Sequence, residues 1–295
     1  MPLVATLVSH PARPALTPAL ANKASTAAGA STVRWLAEGV ACDLGLPDGA
    51  NAPDIEATLR TALAADPIDI VVQDEATRRK KILIADMDST MIDQECIDEL
   101  ADEVGLKPHV AAITARAMRG EILFEPALRE RVALLKDLDL AIIDRIVADR
   151  ITLASGARAL VRTMRAHGGY TALVSGGFDV FTSRVAEMLG FHENRANRLI
   201  DADGRLAGEV AEPILGRAAK AEALLEISTR LGLTPADAIA VGDGANDLDM
   251  IKLAGIGVAL HAKPAVAAEA KVRIDHADLS ALLYLQGFRR EEFLE

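Results

Sequence analysis

Asp86 and Asp88 stand one residue apart in DMDST (86–90), a spacing that lets two carboxylates hold different jobs. One can bind a metal and attack phosphorus while the other exchanges a proton with the ester oxygen. Magnesium takes a few hard oxygen ligands and keeps waters, so sparse carboxylates suit it better than a histidine or cysteine cage. Asp-x-Asp-Ser/Thr is equally ordinary helix-capping chemistry, with Thr90 in a supporting place either way. Ser175-Gly176, in VSGGF, offers a hydroxyl and close backbone N–H groups to phosphate oxygens, or simply a turn that needs glycine. Lys220, ahead of Ala223, Leu224 and Leu225, could neutralise a phosphoryl group in flight, although most lysines are solvated. In GDGAND (242–247), Asp243 offers a further metal carboxylate and Asn246 a neutral donor; Asp247 could orient a water or Lys220. A cap on the helix starting near Leu248 is the plainer use of that loop. A cap alone does not account for two carboxylates, an amide and two glycines behind a buried strand.

Three of these motifs close short apolar runs, at 81–86, 170–177 and 237–244, and further strands are expected at 255–260 and 271–275. Helical patterns at 157–166, 180–189, 219–231 and 248–253 fall among them. That alternation predicts an α/β fold, a parallel sheet covered on both faces, with ligands at the carboxyl ends of its strands. The motifs, far apart in sequence, would then meet in one crevice. Residues from about 94 to 150 break the alternation, reading as consecutive helices over 95–104, 110–118, 127–135 and 141–148. Placed after the first motif, they predict a helical cap that encloses the site. A second insert, 198–210, reads as a β-hairpin turning at Asp203-Gly204.

Upstream, strand-like segments at 3–9, 33–35, 40–46 and 68–73 and helix-like segments at 16–27 and 54–65 give the order β-α-β-β-α-β. This predicts a small α+β domain over 1–78, ahead of a catalytic domain over 79–295. The charged stretch DEATRRKK (74–81) is a linker or a solvated helix end.

The chain of 295 residues is 51% apolar but only 3% aromatic, so aliphatic side chains must fill its core. A formal charge of −11 disfavours a nucleic-acid partner. Two cysteines without a CxxC pair, and histidines without ligand spacing, indicate neither disulfides nor zinc. No apolar run is long enough to span a bilayer, and the first residues lack a secretory pattern, so the expectation is a soluble cytoplasmic protein without a membrane partner.

In order, residue type and strand-end placement, the four elements match the haloacid dehalogenase-like phosphatases. From about 80 to 280 the chain resembles the phosphoserine phosphatases of that superfamily. DMDST, Glu95 with IDEL (97–100), FEPALRERVALLKDL, LVSGGFDVF and VGDGANDLDMI carry the resemblance. It implies a Rossmann-like core with a helical cap and a hairpin flap. It also implies magnesium-dependent hydrolysis of O-phosphoserine, the last step of serine biosynthesis. In that scheme Asp86 is the nucleophile and Asp88 the general acid and then base. Magnesium is held by the side chains of Asp86 and Asp243 and the backbone carbonyl of Asp88. Ser175, Gly176 and Lys220 hold the phosphate, with Asn246 nearby. From the cap, Glu95 meets the substrate ammonium and Arg131 its carboxylate, as an amino acid needs one anion and one forked cation at fixed separation. Phe124 and Met118 would add apolar contact. Met87 stands where many relatives carry Phe. The first 78 residues resemble the ACT-like, ferredoxin-like regulatory domains of longer members, and a homodimer is one possible assembly. Two alternatives stay open: the same chemistry on another small phosphomonoester or acceptor alcohol, and an amino-acid-sensing module with a spent site.

Overall fold

The computed structural model describes residues 2–118 and 121–295, and the side chain of Met118 lies outside the described residues. The first unit runs β1 (Leu3–Val8), α1 (Pro18–Ala28), β2 (Thr32–Ala37), β3 (Ala41–Gly45), α2 (Ala52–Ala62) and β4 (Asp69–Asp74). Its helices start on local signals. Thr17 accepts from Leu20 N with Pro18 behind it, and Asn51 accepts from Asp54 N ahead of α2. The strands form an antiparallel sheet in the order β2-β3-β1-β4.

Strand alternation splits this sheet into two environments. Ala5, Leu7, Cys42, Leu44 and Ile70 bury themselves with Ala21, Ala24 and Leu59 of the two helices. The opposite face carries Thr6, Val8, Arg34, Leu36, Asp43 and Val71, of which Val8, Leu36 and Val71 join the main core.

After the first unit, β5 (Ile82–Ala85) leads into α3 (Cys96–Glu103), α4 (Lys107–Met118), α5 (Phe124–Ala133) and α6 (Ala141–Asp149). Then follow α7 (Ala157–Ala166), β6 (Tyr170–Phe178), α8 (Asp179–Leu189) and β7 (Glu193–Asn197). β8 (Leu199–Ala202) and β9 (Arg205–Val210) make the hairpin, with Asp203 and Gly204 both left-handed at its turn (φ 51° and 77°). The chain closes with α9 (Arg217–Arg230), β10 (Ala238–Gly242), α10 (Leu248–Leu253), β11 (Ile256–Leu260), α11 (Pro264–Glu269), β12 (Val272–Ile274) and α12 (Ala281–Leu285).

Six strands form a parallel sheet in the order β12-β11-β10-β5-β6-β7. Its central strands are apolar throughout because both faces are covered. Ile82, Ile84, Ala172 and Ala240 pack on Leu224 and Ile227 of α9 and Met250 of α10; Leu83, Leu173 and Val241 pack towards α7, α8 and α12. Successive connections leave β5 in opposite directions, β6 on one side and β10 on the other, so a crevice opens at the carboxyl end of β5.

The hairpin leans on the cap. Asp137 N donates to Leu206 O (2.8 Å), Leu206 N to Leu138 O (2.9 Å) and Leu140 N to Gly204 O (2.9 Å). Gly208, at φ 79°, lets the hairpin close on α5, since a Cβ there would stand 3.4 Å from Ala133 O.

Two features depart from the sequence reading. The stretch 74–81, read as a linker or a solvated helix end, joins β4 to β5 without a helix, and one of its side chains is buried. Arg78 is 6% exposed, and its two terminal nitrogens lie 3.1 and 2.9 Å from the Asp43 oxygens. The segment 281–288, where no element was expected, is among the most buried parts of the chain, with Tyr284, Leu285 and Phe288 all in the core.

The sheet of the first unit docks on that segment. Gln73 Nε2 donates to Leu285 O (2.6 Å), while Asp69 accepts from the backbone N–H groups of Asp275 (2.8 Å), His276 (3.1 Å) and Ala277 (2.8 Å). Asp69→Ala would leave these donors without their carboxylate at a partly buried junction. The variant is expected to lose about 2 kcal/mol of stability in urea unfolding, whereas a loss below about 0.5 kcal/mol would mean that water replaces the carboxylate.

Candidate active site

The crevice is built where strands stop. Asp86 follows the last residue of β5, and its N–H donates to Val241 O of β10 (3.0 Å), which fixes the two strand ends side by side. Its Oδ1 accepts from Met87 N (2.8 Å) and faces Lys220 Nζ at 2.7 Å. Lys220 rises from α9, is fully buried, and also reaches Asp247 Oδ1 at 2.6 Å. Burial opposes its charge, but Asp247 and Asp86 outweigh that and hold the ammonium above its usual range.

Asp247 is in turn fixed by Gly244 N, which donates to Oδ2 (3.0 Å). Gly242 makes room for it, since a Cβ at that position would fall 2.3 Å from Asp247 Cγ. This explains the glycine of the motif better than a turn requirement does. Asp86, Asp243 and Asp247 bring carboxylate oxygens within 4.8 Å of one another. Burial first, and Asp247 next, push Asp243 up to about 7 and raise Asp86 well above the carboxylate range, with Lys220 opposing both. Three carboxylates against one ammonium leave an excess of negative charge in a closed space. A divalent cation with hard oxygen ligands fits that donor set. Thr90 Oγ1, buried beside the group, lies 3.5 Å from Asp243 Oδ1.

Asp88 has a different setting. Its Oδ1 accepts from Cys96 N at the first residue of α3 (3.2 Å), and its other oxygen lies over Gly177, where a Cβ would stand 2.8 Å away. Burial, and then the charge of Glu95, push its carboxyl up to about 7. Among the described residues Asp88 has no ion pair, whereas Asp86 has Lys220 at 2.7 Å, so the two carboxylates stand in different settings. Cys96 is no competing nucleophile, because burial and Asp88 push its thiol up.

Ser175, in β6 just beyond the last residue paired with β5 (Leu173), is buried and accepts from Gly177 N (2.9 Å), so its hydroxyl hydrogen is free to donate. Gly176 lies under the Phe124 ring, where a Cβ would be 3.4 Å from Cζ and 3.9 Å from Asn246 Nδ2. Phe124 opens α5 and also approaches Gly216, at 3.5 Å from a Cβ there. It thus covers the crevice beside Gly176.

Two cap residues complete the arrangement. Glu95 is the residue before α3, and its Oε1 accepts from Ser89 Oγ (2.8 Å), with Ser89 itself held left-handed at φ 55°. Arg131 on α5 is gripped by Ala127 O (3.2 Å from Nε) and Thr114 Oγ1 (3.2 Å from Nη1). Burial lowers its pKa, while Glu95, Asp98 and Asp88 oppose that effect, so the guanidinium faces the same acidic crevice. The structure brings Asp86, Asp88, Ser175, Gly176, Lys220, Asp243, Asn246 and Asp247 to one crevice, with Thr90, Phe124, Glu95 and Arg131 beside it. It adds the Cys96 N–H, Gly177 and Thr114, whose contributions are backbone or cap contacts that no local pattern encodes.

The haloacid dehalogenase-like hydrolase model matches residues 83–252. This chain belongs to that family. A phosphoserine phosphatase of Streptomyces coelicolor is 42% identical over 240 residues, covering 79% of this chain. The chain spans 58% of that relative's length. Among solved structures, a haloacid dehalogenase family hydrolase from Salmonella enterica serovar Typhi superposes with a TM-score of 0.86 at 29% identity, covering 96% of this chain and 98% of the other. A phospho-aspartyl intermediate analogue of phosphoserine phosphatase gives a TM-score of 0.65 at 41% identity, covering 70% of this chain and 98% of the other. The family's match begins in β5 and ends in α10, so it takes in the strand ends that carry Asp86, Ser175 and Asp243, together with the cap between them.

Proposed function

We propose that this haloacid dehalogenase-like hydrolase cleaves O-phosphoserine to serine and phosphate through an aspartyl-phosphate on Asp86. The observation that carries the reading is the division between neighbouring carboxylates. Asp86 pairs with the buried ammonium of Lys220 at 2.7 Å, while Asp88, two residues on, pairs with no cation among the described residues and is pushed up to about 7 by burial and Glu95. The likeness to a phospho-aspartyl analogue of phosphoserine phosphatase supports it.

The chain's own groups account for the steps. An Asp86 carboxylate oxygen bonds to phosphorus as the bond from phosphorus to the serine oxygen breaks, and Asp88 gives its proton to that oxygen. Lys220, the Ser175 hydroxyl and the backbone at Gly176 hold the phosphoryl oxygens, with Asn246 beside them. Asp88 then takes a proton from water as its oxygen attacks phosphorus, which frees phosphate and restores Asp86. Asp86, Asp243 and the backbone carbonyl of Asp88 would hold magnesium, which supplies further charge neutralisation at the transferring group. Asp247 keeps Lys220 in place, and Thr90 supports Asp243. Cap closure over the crevice strengthens these interactions by excluding water.

Glu95 and Arg131 set the substrate class. Glu95 receives the ammonium and Arg131 the carboxylate of an amino acid whose phosphate points at Asp86. The catalytic unit occupies 79–295, with a cap over about 94–150. The unit 1–78 is an ACT-like domain; its β-α-β-β-α-β order and antiparallel β2-β3-β1-β4 sheet support that reading.

Phosphate release from O-phosphoserine, with magnesium and then with excess chelator, tests the reaction. Fast release that chelator abolishes is the expected result. Release from sugar phosphates alone would keep the chemistry and discard the reading of the cap. Arg131→Ala is expected to lower kcat/KM for O-phosphoserine by about 10²-fold or more, because it removes a charge-assisted fork from a desolvated site. The same variant should leave hydrolysis of p-nitrophenyl phosphate, which lacks both amino-acid groups, within about threefold of the parent. Equal losses on both substrates would remove Arg131 from substrate selection.

A further inference from the structure

Far from the crevice, at the opposite end of β5, the first unit and the closing segment line a solvent-open cavity of about 300 Å³. Its walls come from three places: Arg34 and Leu36 on β2, Glu75, Arg78 and Arg79 in the connection, and Gln286, Gly287 and Arg289 after α12. Four guanidinium groups around one small space are unexpected in a chain of net charge −11.

The four are not equivalent. Arg78 is fixed by both oxygens of Asp43, at 3.1 and 2.9 Å, and lies flat against the turn at Gly287. A Cβ on Gly287 would fall 2.6 Å from Arg78 Nη2, and that residue holds φ 77°. Arg34 is shared between Asp43 and Glu75, both at 2.8 Å. Asp43 and Glu75 therefore satisfy the inner pair.

The outer pair is different. Arg79 has its flat face on the Phe288 ring, with Cζ 3.5 Å from the centroid, which fixes its plane and leaves its edge available. Among the described residues, no carboxylate or carbonyl accepts a hydrogen bond from it. Arg289 has only a loose approach to Glu291, at 3.8 Å, while Glu292 Oε2 takes the Arg289 backbone N–H and attracts Arg79 from a distance. Each guanidinium carries five N–H donors in a rigid fork shaped for oxyanions.

We propose that this junction cavity binds a small anion bearing carboxylate or phosphate oxygens, held by Arg79 and Arg289 in front of the Arg34–Asp43–Arg78 group. Such a ligand would touch β2, the connection and the closing turn at once. It would stabilise the docking of the first unit on the catalytic unit, since anything that binds only the docked form shifts the equilibrium towards it. The site is independent of the phosphatase reading, because none of its residues lies in the crevice.

Isothermal titration of the full chain, without divalent cations, uses pyrophosphate as the phosphate-type probe and citrate as the carboxylate-type probe. At least one is expected to bind with a Kd below about 1 mM, and the Arg79→Ala/Arg289→Ala double variant should weaken it by at least about tenfold. The probe that responds identifies the ligand class. Both side chains are exposed, so the double variant should keep the parent's unfolding midpoint, which checks that its fold is intact. Binding of neither probe, or binding that survives the double substitution unchanged, overturns the proposal; survival of pyrophosphate binding alone would place that anion in the catalytic crevice.

Discussion

Asp86→Asn is expected to abolish phosphate release while leaving a folded protein. The amide keeps the size of the carboxylate and can still take a hydrogen bond from Lys220, whose second partner, Asp247 at 2.6 Å, is untouched. What is lost is the nucleophile itself. Removing a group that forms the covalent intermediate costs on the order of 10⁴-fold or more in kcat. The fold should hold because the neighbourhood gives up a negative charge from a group in which three carboxylates crowd one ammonium. Activity within tenfold of the parent, at an unchanged unfolding midpoint, would show that phosphorus is attacked by another group.

Lys220→Met should act on stability and chemistry together, and the stability effect separates it from the first variant. Lys220 has no exposed surface and stands 2.7 Å from Asp86 and 2.6 Å from Asp247. Methionine fills much of the same space but leaves two buried carboxylates facing each other without their cation. Breaking a buried ion pair from one side costs about 3–5 kcal/mol, and urea unfolding measures it directly. Because the carboxylates then repel, added magnesium should recover part of the lost stability, more than it adds to the parent. A variant as stable as the parent would mean that the two aspartates share a proton instead of a lysine.

Much of this site was legible before the fold because its residues sit at the ends of strands buried on both faces. Such strands read as unbroken apolar runs, and the chemistry begins where the run stops, as at Ala85–Asp86 and Gly242–Asp243. The cap was legible for a related reason: α3 to α6 follow one another with no strand-like run between them. Boundaries moved by a few residues, as at α5, which starts at Phe124 rather than 127 and carries Pro126 in its first turn.

Other features escaped because long-range contacts decide them. Nothing near Arg78 in DEATRRKK says that it will be buried, as its partner Asp43 lies 35 residues away in another strand. Thr114 holds Arg131 across two helices, and a threonine inside a helix carries no mark of that use. Asp247, read as orienting a water or Lys220, lies 2.6 Å from Lys220 Nζ; its closeness to Asp86 and Asp243 goes with the room that Gly242 leaves for its side chain. β7, with its polar residues on an edge, lacks the apolar run that disclosed its neighbours.

The docking of the first sheet has a consequence for how the protein is made. Gln73 is bonded to Leu285, 212 positions later, and Asp69 to Ala277, 208 positions later. During synthesis the helix-covered face of that sheet can be completed early, while its other face, with Val8, Leu36 and Val71, waits for the last-made part of the core. Over that interval an apolar, half-finished surface is exposed to solvent and to other nascent chains. Contacts of such high sequence separation are slow to form, so the interval is set by translation and then by a search across separations of 208 and 212 residues.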